Sequence, residues 1–142
     1  MVLALSAPTS VARAESPVIR TAGSKLPKNK VIATINLDAA VSLGVAVDPN
    51  GQYVYVGANG VTVVSTATNS VVTTIELPHG YGSRNLAVSP DGSTLYAESN
   101  SYFAINTSTW SVVQTLPIQY PSYTYMAMSP DGTKLYCVNC LS

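Results

Sequence analysis

The stretch Val47-Asp48-Pro49-Asn50-Gly51-Gln52-Tyr53-Val54-Tyr55-Val56 decides the fold, because the chain repeats it twice. It returns as Val88-Ser89-Pro90-Asp91-Gly92-Ser93-Thr94-Leu95-Tyr96-Ala97 and as Met128-Ser129-Pro130-Asp131-Gly132-Thr133-Lys134-Leu135-Tyr136-Cys137, with the glycines 41 and then 40 residues apart. The centre of each copy is turn chemistry. Proline pre-sets φ, Asp or Asn tolerates the next position, and glycine takes positive φ. A second motif runs out of phase with the first. Val31-Ile32-Ala33-Thr34-Ile35-Asn36-Leu37 matches Val71-Val72-Thr73-Thr74-Ile75-Glu76-Leu77, and then Val112-Val113-Gln114-Thr115-Leu116-Pro117-Ile118.

Working outward, each period holds four short strands. Strand A covers 45–47, 86–89 or 125–129, and strand B covers 53–56, 95–98 or 135–138. Strand C covers 61–65 or 102–106, and strand D is the Val-Val-x-Thr segment. Thr66-Ala67-Thr68-Asn69-Ser70 and Thr107-Ser108-Thr109-Trp110-Ser111 supply the C–D turns. No segment sustains a helical period. Four antiparallel strands in ~40 residues is the signature of a propeller blade. The expected fold class is therefore all-β: four-stranded antiparallel β-propeller blades, about three of them, forming a fragment of a larger propeller. An irregular β-sandwich is the alternative, and it does not need so regular a repeat.

The Pro-Asp-Gly turn, the Leu-Tyr pair after it and the Thr-x-Thr/Asn-x-Val-Val segment resemble the YVTN-type repeats of surface-associated and periplasmic propeller proteins. The name-giving tetrad aligns with Tyr55-Val56-Gly57-Ala58, Tyr96-Ala97-Glu98-Ser99 and Tyr136-Cys137-Val138-Asn139, of which the first Tyr is kept throughout. The resemblance covers residues 31–139. It implies the fold and an extracytoplasmic location (periplasmic, cell surface or secreted). Function is implied only loosely, because such repeats serve binding, scaffold and enzymatic propellers.

Composition agrees with this class. The 142 residues are 46% hydrophobic and 10% charged, with nine Tyr, one Phe and one Trp, whereas an ordinary globular domain is ~25% charged. Disorder is excluded for the bulk of the chain, and no apolar run reaches the ~20 residues of a membrane span. The formal net charge of zero hides an asymmetry. Residues 1–30 carry a balance of +4 and residues 31–142 one of −4, which argues against nucleic acid as a partner of the repeats.

Residues 1–14 (MVLALSAPTSVARA) read as a clipped signal peptide, the small-x-small triplet Ala12-Arg13-Ala14 being the form a signal peptidase accepts. A disordered tail is the alternative. Residues 15–30, with Pro17, Gly23 and Pro27, read as a linker, in which 18–21 can supply one extra strand. Residues 31–142 are the partial propeller. The strand count is D, ABCD, ABCD, AB, so the two ends can together make one composite blade. Three blades are fewer than the four to eight typical of propellers. The expected partners are therefore the remaining blades of a longer chain, or a second copy that completes a six-bladed ring.

Catalytic machinery is not visible. Cys137-Val138-Asn139-Cys140 has redox spacing, yet it ends a strand instead of opening a helix. Cys137 aligns with Val56 and Ala97, so a packed thiol is expected, with a disulfide or dithiol as the alternative. Gly80-Tyr81-Gly82 lacks the following helix that a dinucleotide loop needs. Asp48, Asp91 and Asp131 sit at turns and are read as turn formers. Asn106-Thr107-Ser108 satisfies a glycosylation sequon that matters only in a secretory host. No catalytic residue, metal site or cofactor is expected. The ligand-binding candidates lie on the D–A connections, on the face that also carries the B–C loops near 57–60 and 98–101: His79, Tyr81, Arg84, Tyr120 and Tyr123. Tyr offers a large amphipathic face and Arg a planar donor fork, which suits a peptide, glycan or cell-envelope ligand. The function expected is a non-enzymatic, extracytoplasmic ligand-binding or scaffold module. A fragment of a lactonase-like or quinoprotein-like enzyme, with its site mostly in other blades, is the alternative.

Overall fold

The computed structural model describes residues 2–5, 31–37, 44–78, 82–117 and 124–139. The described residues form twelve strands and no helix. The chain divides into two compact units, Met1–Asn36 and Leu37–Ser142.

The second unit holds two complete four-stranded meanders. In the first, β3 (Gly44–Val47), β4 (Tyr53–Ala58), β5 (Gly60–Ser65) and β6 (Ser70–Ile75) pair in sequence order. The next meander is β7 (Asn85–Val88), β8 (Thr94–Glu98), β9 (Ser101–Asn106) and β10 (Ser111–Pro117). A third A–B pair follows, β11 (Thr124–Met128) with β12 (Leu135–Asn139). Every pairing is antiparallel. These are the expected blades, with strand ends within one or two residues of the sequence reading.

The turns form as their chemistry dictates. Gly51, Gly92 and Gly132 have φ of 70°, 74° and 71°. Their N–H groups donate to the carbonyls of Asp48, Ser89 and Ser129 at 2.8, 2.8 and 2.9 Å. The aspartates hold these turns: Asp91 accepts from Ser89 Oγ and from Ser93 N, and Asp131 accepts from Ser129 Oγ and Thr133 N. Such donors favour the carboxylate, so Asp91 is lowered to about 2 and Asp131 is also lowered. The C–D turn is tied back to the A–B turn of its own blade. Thr66 Oγ1 donates to Gly51 O, and Thr107 Oγ1 to Gly92 O, each at 2.7 Å.

The core lies between the two complete blades. Tyr55, Val61, Val63, Ile75 and Leu77 from the first join Leu86, Leu95, Ala97, Phe103 and Ile105 from the second in one buried cluster. Alternation along each strand presents one side chain set to each neighbouring blade. Trp110, in the second C–D turn, packs against this cluster with its ring edge-on to Tyr53 at 5.1 Å. It takes φ of 54° where its counterpart Asn69 takes 51°. A bulky side chain there is a strained choice, and the aromatic contact across blades offsets it. Burial pushes the Tyr55 hydroxyl up to about 12, with Asp48 adding to the effect.

The first unit contributes β1 (Val2–Leu5) paired antiparallel with β2 (Val31–Ile35). Its register is that of a blade's C–D pair. Ala4 faces Ala33 and Leu5 faces Val31, so Ile32 is bulged. In the complete blades Val72 and Val113 are bulged at the same place. Residues 18–21, suggested as an extra strand, lie outside the described residues. One expectation needs correction: Cys137 is exposed and free, not packed. β12 pairs only with β11, whereas β4 and β8, which carry Val56 and Ala97 at the same place, are paired on both edges.

Candidate functional site

Gly44, Gly57 and Val61 stand opposite one another across β3, β4 and β5. At the same place in the second blade, β7, β8 and β9 carry Asn85, Glu98 and Tyr102. One blade has an almost bare row and the next a polar one. The D–A connection runs between them. Ser83 N donates to Ala58 O at 3.0 Å, and Arg84 N donates to Glu98 O at 2.8 Å. A Cβ on Gly57 would run into the Ser83 carbonyl, and one on Gly82 into the Ala58 carbonyl. The glycines are what allow this strap to lie so close to the sheet.

Glu98 is the chemical centre of the row. It is 1% exposed, and Asn85 Nδ2 donates to its Oε2 at 3.1 Å. Ser83, equally buried, donates its hydroxyl to the Glu98 carbonyl at 3.2 Å. A carboxylate is tolerated inside a protein only when hydrogen-bonded in this way. Polarity then rises outward, through half-buried Asn85 and Tyr102 to exposed Arg84. In the adjoining B–C turn, the buried Asn100 Oδ1 has no hydrogen-bond partner. The row thus gathers the buried Glu98 carboxyl and the buried Asn100 amide oxygen beneath an exposed Arg84, on paired strands, the B–C turn and the strap pinned to them.

Of the candidates, Arg84 lies in this site. His79, Tyr81, Tyr120 and Tyr123 fall outside the described residues. The sequence places Glu98 only at the start of the B–C loop near 98–101, beside the D–A face. The available signal was an acid where the other two repeats carry Gly57 and Val138. Among the described residues no group of three or more His, Cys, Asp or Glu could hold a metal ion. Two shallow grooves lie elsewhere. One of about 420 Å³ is lined by Glu76, Leu77, Pro78 and Trp110, and one of about 290 Å³ by Ser89, Asp91, Tyr96 and Asp131.

No family model and no curated protein matches the chain. Among solved structures it is similar to Kuenenia stuttgartiensis hydrazine synthase, at 22% identity and a TM-score of 0.62, over 76% of this chain and 32% of that one. It is also similar to U3-55K, at 15% identity and a TM-score of 0.63, over 72% of this chain and 34% of that one. Both contain β-propellers. The likeness is one of fold, and the chain spans about a third of the length of either structure.

Proposed function

We propose that this chain is a non-enzymatic, extracytoplasmic ligand-binding or scaffold module built from YVTN-type propeller repeats. The observation that carries this reading is the Asn85–Glu98–Tyr102 row beside Arg84, set against the bare Gly44–Gly57–Val61 row. Polar groups immobilised on paired strands recognise a partner at little entropic cost. The ligand is a peptide, glycan or cell-envelope component bearing an acidic group that meets the exposed Arg84, beside the Asn85 that Glu98 holds in place. The location rests on the repeat resemblance. A cleaved leader at 1–14 and a strand role for Val2–Leu5 exclude one another in the mature protein, so its N-terminal sequence decides that point.

The test is binding of the full chain to arrayed acidic glycans and cell-wall peptides. Arg84→Ala should weaken a bound ligand by ~1–3 kcal/mol, the scale of a charge-assisted hydrogen bond, and Glu98→Gln should weaken it by less, through the Asn85 side chain that Glu98 holds. Unchanged affinity in both variants would remove this face from the reading. The enzyme alternative is tested by lactone turnover with and without divalent metal. Metal-dependent turnover would replace the binding module with an enzyme fragment.

A further inference from the structure

Trp110 and Glu76 line the groove of about 420 Å³ at the junction of the two complete blades. We propose that this groove binds a glycan carrying a basic amino sugar, whose ring lies on Trp110 and whose ammonium group pairs with Glu76. One wall is the end of β6 and the chain after it, with Thr74, Glu76 and Pro78 exposed. The other is the second C–D turn and the start of β10, with Ser111 exposed and Trp110 half-buried. Ile75 and Leu77, buried in the core cluster, fix the first wall, and contacts to Tyr53 and Tyr55 hold the indole of the second. Both walls are thus set before a ligand arrives, which lowers the entropic cost of binding. The volume lies within the ~300–1,000 Å³ of small-molecule sites.

Trp110 stands where the first blade carries Asn69, and both take positive φ, 54° and 51°. Asn tolerates that backbone far better than Trp does. Packing on the tyrosines uses part of the indole, and its remaining surface lines the groove. Neither the indole N–H nor the Glu76 carboxylate has a hydrogen-bond partner among the described residues. Charge sets the sign of the ligand. Arg84 and Lys134 are the only Arg or Lys in residues 31–142, and neither lines the groove. A cation seated there is held by the carboxylate and by the ring quadrupole together. The same walls favour a sugar over a peptide. Thr74 and Ser111 bring a hydroxyl to each wall, matching a ring edged with hydroxyl groups. A peptide strand would need the open edge of β6, which the bulge at Val72 interrupts. The inference does not rest on the Arg84 face, which takes acidic ligands, whereas this groove takes a basic one.

The test is titration of the full chain with a glucosamine trisaccharide at mildly acidic pH, where its amines are charged. The readout is the emission of Trp110, the single Trp of the chain. A saturable change that weakens as salt rises is the expected result. The N-acetylated trisaccharide keeps the rings and loses the charge. It should bind about tenfold more weakly, the scale of one charge-assisted hydrogen bond, and Glu76→Gln should bring the two sugars to equal affinity. Trp110→Asn should abolish binding measured by calorimetry. If that variant does not fold, Thr74→Ala with Ser111→Ala, both on the exposed walls, should weaken binding about tenfold. No saturable change, equal affinity for the two sugars in the unsubstituted chain, or an affinity unaltered by Glu76→Gln would overturn the proposal. A lysine tripeptide that binds as tightly as the amino sugar would overturn the assignment to a glycan.

Discussion

Leu86 and Val45 occupy the same place in successive blades, yet Leu86 is 9% exposed and Val45 is 64% exposed. Tyr55 and Tyr136 repeat the contrast at 1% and 56%. The strands, turns and registers around these pairs are alike, so the difference lies in what covers them. A blade buries its faces on its neighbours, not within itself, and a terminal blade has a face left over. Full burial of one large apolar side chain contributes about 1.5–3 kcal/mol, which Val45 and Val47 on β3 and Tyr136 and Val138 on β12 leave unrealised, while Val56 on β4 and Val64 on β5 are buried.

The largest expected effect breaks the comparison if it is absent. Tyr55→Ala should cost about 3–5 kcal/mol in urea unfolding, while Tyr136→Ala should change stability by about 0.5 kcal/mol or less. Similar losses would mean that coverage does not set the energetics. Trp110 fluorescence is the natural readout, since the single Trp packs at the blade junction.

A medium effect concerns the close approach. Gly57→Ala should destabilise by about 1–3 kcal/mol, because the added methyl displaces the strap at Ser83. The matching change at the third repeat, Val138→Ala, should stay within about 0.5 kcal/mol. Thr107→Val removes the hydroxyl that ties the C–D turn to Gly92 and should cost about 0.5–1.5 kcal/mol in the same assay.

Acid titration is expected to have the smallest effect, and it sharpens the comparison by reaching covered and uncovered blades alike. Asp91 and Asp131 both sit below their ordinary value of 3.8 in the folded chain. Their contribution is complete above pH 3.8 and is lost as pH falls through the lowered folded values, about 2 in the case of Asp91. Unfolding monitored from pH 5 to 2 should lose stability in that window, and Asp91→Asn should flatten part of the slope. An unchanged slope would deny the turn carboxylates a role.

The turns and strand order were legible because Pro-Asp-Gly specifies backbone locally, without help from distant residues. Val2–Leu5 was not legible as a strand. The C–D links of the complete blades are residues 66–69 and 107–110, whereas β1 and β2 are separated by residues 6–30, and no turn motif announces the pairing. The exposure of Cys137 was missed because alignment transfers backbone position but not the strand that pairs along the second edge of β4 and β8 and not of β12. Glu98 was seen as an acid without its burial, which depends on the strap from another segment lying over β8.

The repeated bulge has a consequence for solution behaviour. A flat, regular strand edge invites adventitious pairing with any extended chain, and bulges are one of the devices that discourage it. β2, β6 and β10 each carry the irregularity and expose a β-branched residue there, at Ile32, Val72 and Val113. β12 pairs with β11 without interruption. Aggregation of the isolated chain should therefore start at β12, and a lysine placed at Val138 should raise solubility more than one placed at Val72.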